Sequence, residues 1–166
     1  MKAITVYPVW AWAIVNGRKR VENRTWWTHH RGPLLVHAAA DSPAARRSDV
    51  EARKALEAAG VKIPPDEKIA RGAIIGMVEV IDALRYAPRN SAPRRLVQEN
   101  LPNLLFPPEI DPEELATDPL AVGPYCWILR HPLVFRPPIP FRGRQGLFDV
   151  PGRAISREIA ELGCRP

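Results

Sequence analysis

Apolar and polar residues alternate along KAITVY at 2–7, the period of a short strand with one face inward. Pro8 stops that strand and opens a short helix, VWAWAIVNG at 9–17, which Asn16 and Gly17 close. At about 100° per residue Trp10 and Trp12 diverge by about 200°, so one ring is expected in the core and the other on a surface or cavity wall. RKRVENRTWW at 18–27 reads as extended, with Val21 inward and charged neighbours outward. RGPLLVHAAA at 31–40 reads as a second, buried strand after a turn at 30–32.

Residues 43–59 have helical composition, with a proline near the start and Gly60 as the stop. KIPPDEKIAR at 62–71 is a loop, and GAIIGMVEVIDAL at 72–84 a long β-branched strand bent at Gly76. From 85 to 123 the chain is punctuated by prolines, with one short helix expected at APRRLVQENL (92–101) and an acidic patch, and this insertion is expected to wrap the sheet edge. YCWILRHPLVF at 125–135 supplies a further strand, 137–151 an irregular closing segment, and RAISREIAEL at 153–162 an amphipathic helix. No internal repeat is present. Strands with helices between them, without a regular βαβ rhythm, predict a small mixed barrel flanked by helices.

A chain of 166 residues with 46% hydrophobic content suits one domain with a real core. No window approaches the roughly 20 apolar residues of a membrane span, and MKAITVYPVW lacks a secretory signature, so a cytoplasmic protein without membrane association is expected. Cys126 and Cys164 lie far apart and form no CxxC pair, which fits reduced thiols. His29, His30 and His37 have no carboxylate or cysteine at ligand spacing, and no metal or other cofactor is called for. His37 follows an apolar strand and reads as a core or pocket histidine.

Charge adds a partner class. The formal net charge is +6, and of the 24 basic residues only Lys2, Lys19, Lys54, Lys62 and Lys68 are lysines. Guanidinium forks match phosphate oxygens and stack on rings, which favours nucleic acid, although a GC-rich coding sequence gives the same bias. Arg18, Lys19, Arg20, Arg24 and Arg31 surround the single acid Glu22, whereas 107–118 holds five acids and no base. Basic residues return at Arg130, Arg136, Arg142, Arg144 and Arg153, so two distant basic segments can converge on one face.

Trp10-Ala11-Trp12, Asn16-Gly17, Lys19, the block Val21 to Trp26 and the run Arg31 to Ala38 resemble the N-terminal signature of the ASCH domain family. Gly72 to Val80, Trp127-Ile128-Leu129 and Gly146 to Val150 resemble its later strands and closing motif, so the likeness covers most of the chain outside 85–122. The resemblance implies an α+β fold, a small PUA-like mixed β-barrel of about five or six strands flanked by helices, with a cleft beside the first helix. It implies one domain over 1–166 with a proline-rich insertion at 85–122. Members of this family include RNA-binding modules, coactivator domains, small amidohydrolases acting on N4-acylated cytidine, and ribonucleases.

Function therefore rests on the site. Lys19 can bind a phosphate or polarise a carbonyl, and Glu22 can accept from a base edge or act as a general base; the competing reading is a solvated salt bridge. Should the chain be an enzyme, these two are its candidate catalytic residues. Arg24 can pair with Glu22 or reach a phosphate, and Arg31 belongs to the same basic run. Trp10, Trp12, Trp26 and Trp27 offer ring faces for stacking, most of them expected in the core and one, Trp10 or Trp26, left for a ligand. Arg71, Arg142 and Arg144 are loop arginines suited to backbone phosphates.

Two departures from the family pattern matter. Pro8-Val9 stands where members commonly read Gln-Pro, removing a side-chain amide. In the amidohydrolase members a Gly-x-Lys-x-x-Thr motif carries a threonine nucleophile; here Glu22 occupies that place, and a distant glutamate would have to come from Gln98-Glu99-Asn100. Three functions remain: a reader of RNA or of a single-stranded or modified nucleotide, a hydrolase acting on a modified nucleoside or RNA, and a protein-interaction module using the acidic 109–118 patch and the proline-rich insertion. Oligomeric state is open.

Overall fold

The computed structural model describes residues 1–86, 96–97 and 117–156. Among these residues the elements follow in the order β1 (Lys2–Val6), α1 (Pro8–Val15), β2 (Val21–Arg24), β3 (Gly32–Ala38), α2 (Pro43–Ala58), β4 (Ala73–Tyr86), β5 (Leu96–Val97), β6 (Tyr125–Pro140) and β7 (Leu147–Asp149). Single 3₁₀ turns lie at Asp66–Lys68 and Gly152–Ala154.

One sheet runs β2-β6-β4-β3-β1-β7, with β5 pairing the far end of β4. β1 and β3 pair in parallel; the other pairs are antiparallel. The sheet curls into a half-barrel because its two long central strands are bulged: the β4–β6 register shifts near Gly76, between Met77 and Glu79, and between Val80 and Asp82. Curling is deep enough for Arg24 on the edge strand β2 to donate to the Thr5 carbonyl of β1 at 2.8 Å, although three strands separate them in the sheet order.

Alternation along β3 places Leu34 and Val36 in the core inside the curl, and Leu35 in a second core with Ile74, Phe135 and Phe148 on the other face. Helix α1 closes the inner core. Six of its eight residues are buried, because the sheet lies on one side and Ala52 and Leu56 of α2 on the other. Gly76 permits this contact: a Cβ there would lie 2.1 Å from the Leu133 carbonyl oxygen and 2.9 Å from Val15.

Helix α2 begins with Ser42, whose side chain accepts from the Ala45 N–H, and Pro43. Its buried residues Ala45, Asp49, Ala52 and Leu56 form one face. Asp49 reaches α1, its carboxylate accepting the Val9 N–H at 3.0 Å.

Some local expectations are overturned. The helix expected at 92–101 gives way at Leu96–Val97, which pair as a strand with Arg85 and Tyr86; the rest of that segment lies outside the described residues. The closing segment 137–151 is more regular than expected, since β6 continues to Pro140 and Leu147–Asp149 pairs with β1. Of the helix expected at 153–162, residues beyond 156 lie outside the described residues. Among the described residues no helix is long and apolar enough to cross a membrane.

Candidate functional site

Where β1 and β3 end in parallel, the chain leaves a cleft of about 1310 Å³. Thr5, Val6 and Tyr7 come from the end of β1, Trp10 from α1, and Lys19, Glu22, Asn23, Arg24 and Trp26 from the run through β2. His37 and Ala39 close one side, and the 140–146 segment, with Phe141, Arg142 and Arg144, closes the other.

At one wall three charged side chains interlock. Lys19 and Glu22 approach to 3.3 Å with side-chain exposures of 3% and 10%. The Lys19 ammonium also donates to the Val21 carbonyl and lies 5.4 Å from the centre of the Trp10 ring. Arg24 meets the other oxygen of Glu22 at 3.0 Å. This is a buried, doubly paired carboxylate, in place of the solvated salt bridge that neighbouring charges suggest. Each carboxylate oxygen has a second acceptor position, so Glu22 keeps hydrogen-bonding capacity for a ligand.

None of the four tryptophans at 10–27 is fully buried; Trp127 is. Trp26 packs edge-on against Trp127, ring centres 4.8 Å apart. Trp27 donates its Nε1–H to the Ala83 carbonyl at 2.8 Å. Tyr7, 42% exposed, stands at the mouth.

His37 is buried on β3, and its Nε2 faces the Phe141 carbonyl at 2.8 Å. A carbonyl only accepts, so Nε2 carries the proton. Burial lowers the His37 pKa, an effect opposed in part by the hydrogen bond to the Phe141 carbonyl.

The cleft therefore gathers Trp10, Lys19, Glu22, Arg24, Trp26, Arg142 and Arg144 from the residues singled out in the sequence. Three others lie elsewhere. Trp12, on the diverging face of α1, packs with Leu56 and Ile69 in the α1–α2 core. Arg31 pairs with buried Asp82 at 2.7 Å, its guanidinium 5.8 Å from the Trp27 ring centre. Arg71 meets Asp49 at 2.7 Å and Asp66 at 2.8 Å, so it tethers α2 to the Asp66–Lys68 turn. Tyr7, Asn23 and Phe141 line the cleft without having been singled out; the alternation of KAITVY, which puts Thr5 and Tyr7 on one face, was the signal for Tyr7.

Known proteins place the chain. A curated relative, activating signal cointegrator 1 of Homo sapiens, is 30% identical over 128 residues, covering 76% of this chain and 22% of that protein. The protein of the same name from Mus musculus is 29% identical over the same length and shares. The chain thus spans about a fifth of the length of these relatives. Among solved structures, two mutants of ZmASCH from Zymomonas mobilis are each 15% identical, one with a TM-score of 0.47 covering 96% of both chains, the other with 0.44 covering 97% of this chain and 94% of that one. The ASCH domain pattern itself matches residues 4–120, from within β1 past the tryptophan-rich wall of the cleft, and the chain belongs to the ASCH domain family.

Proposed function

We propose that this chain binds nucleic acid in the cleft, taking a short single strand of RNA or a modified nucleotide. The observation that carries the reading is the composition of one continuous lining: the rings of Tyr7, Trp10, Trp26 and Phe141 beside four cationic side chains and one carboxylate. Ring faces accept unstacked bases and guanidiniums accept phosphates, whereas a stacked duplex offers no base face. At about 1310 Å³ the cleft exceeds the roughly 300–1,000 Å³ of small-molecule sites, which favours a strand over a free nucleoside. Glu22 is the group proposed to select the base, since a carboxylate accepts from amino and imino N–H groups.

Hydrolysis of a modified nucleoside is the competing reading. The paired carboxylate of Glu22 sits where the amidohydrolase members carry their threonine, so this reading lacks its nucleophile. Titrating wild type and Trp10→Leu with short single-stranded RNA tests the proposal: loss of a stacking ring should weaken binding at least about 5-fold, from roughly 1–3 kcal/mol per stacked base. Equal affinities would remove Trp10 from the site, and release of product from N4-acylated cytidine by the wild type would establish the enzyme instead.

A further inference from the structure

The 141–146 segment joins β6 to β7 and brings exposed Arg142 and Arg144 to the cleft. Short exposed connections containing glycine are ordinarily the loosely held parts of a sheet. This one is anchored. The Thr5 hydroxyl donates to the Arg144 carbonyl at 2.9 Å, and the His37 Nε2–H donates to the Phe141 carbonyl at 2.8 Å. Thr5 and His37 are register partners on the parallel strands β1 and β3, so the two side chains grip the segment on either side of Gly143.

Gly143 is the point of closest approach. A Cβ there would lie 2.5 Å from Cε1 and 2.6 Å from Nδ1 of His37, and 2.8 Å from Oγ1 of Thr5. Its φ is outside the left-handed region, so the glycine serves proximity rather than an unusual backbone angle.

We infer that Thr5 and His37 are positioning residues that hold the Arg142–Arg144 strap over the cleft, so that its guanidiniums take the ligand's phosphates. The inference rests on the nucleic-acid reading above and assigns phosphate contact to the strap rather than to Lys19, whose ammonium is sealed against Val21, Glu22 and Trp10. Holding an arginine in place before binding reduces the ordering cost when the ligand arrives.

The full chain is tested with a fluorescein-labelled, mixed-sequence single-stranded RNA across a salt series. The double variant Arg142→Ala/Arg144→Ala should lower the slope of log K against log salt by about 1.4, at about 0.7 for each phosphate contact on a single strand. His37→Leu and Gly143→Ala should each lower it by about 0.7 or more, whereas His37→Gln, whose amide nitrogen can donate in place of Nε2, should keep the wild-type slope. In the unliganded protein, tryptic cleavage after Arg142 and Arg144 should accelerate in His37→Leu and Gly143→Ala by more than any fall in their global unfolding midpoints accounts for, but not in His37→Gln. A lowered slope in the arginine variant with wild-type slopes in His37→Leu and Gly143→Ala overturns the positioning role. An unchanged slope in the arginine variant overturns the phosphate assignment. Absence of RNA binding by the wild type removes the nucleic-acid reading itself, and the tryptic rates then decide alone whether the anchors hold the strap.

Discussion

Asp49 of α2 reaches across to α1, its carboxylate accepting the Val9 N–H at 3.0 Å while it meets Arg71 at 2.7 Å. Tyr7, the residue preceding α1, gives it no side-chain cap, so a carboxylate 40 residues away supplies one. Asp49→Ala removes that cap and leaves Arg71 with only its more exposed partners. The expected loss is about 3 kcal/mol, a cap of about 1 plus the penalty for a half-buried charge. Asp49→Asn, which retains an acceptor oxygen, should lose about half as much. Urea midpoints measure both, and equal losses for Ala and Asn would show that the cap contributes nothing.

Lys19→Ala leaves Glu22 buried with Arg24 as its remaining cation. Removing one partner of a buried pair typically destabilises by about 3–5 kcal/mol, and the surviving Arg24 contact puts the expected value near the lower end, about 3. Lys19→Met, which fills the same space under Trp10, should lose less. Denaturation that shows no difference between Lys19→Ala and wild type would mean that the ammonium is solvated in solution.

Gly76→Ala drives a methyl group to within 2.1 Å of the Leu133 carbonyl oxygen, where backbone rather than a flexible side chain must yield. Overpacking of this kind typically loses about 1–3 kcal/mol, and with a backbone atom in the way the upper end is expected. Thermal unfolding reads it directly; a neutral substitution would refute the close packing of α1 on β4.

Protonation of His37 is disfavoured in the folded chain by burial, its pKa falling below the ordinary 6.5. The unfolded chain then binds a proton that the native one does not. Stability therefore rises with pH through this window; the contribution is complete above about pH 6.5 and is lost as pH falls below it. His37→Gln should flatten this part of the pH profile of the urea midpoint. An unchanged profile would place the titration elsewhere.

How much of this was legible in the sequence follows from the range of each interaction. β1, α1, β3 and α2 announce themselves by period, by Pro8 and Pro43 at their starts and by Gly17 and Gly60 at their ends, all local signals. The divergence of Trp10 from Trp12 was also local; which ring faces the cleft was not, because it depends on where α2 docks. Arg31, a nucleotide-binding candidate in the basic run, and Arg71, a candidate for backbone phosphate, also pair with Asp82, 51 positions on, and with Asp49, contacts that no local pattern shows. The β5 strand was hidden because APRRLVQENL has helical composition, which the edge of β4 overrides at Leu96–Val97. Phe141 enters the cleft through the His37 hydrogen bond, a link across 104 positions that no pattern reveals.

Whether the cleft takes a single strand is read most directly by a fluorescence-anisotropy titration of the full chain against single-stranded RNA, duplex RNA and duplex DNA, each at low and at near-physiological salt. Preferential binding of the single strand that persists in part at the higher salt is the predicted result, because ring stacking is not screened. Weak, identical binding to all three that vanishes with salt would rule out single-strand recognition in the cleft and reduce the positive charge to non-specific attraction.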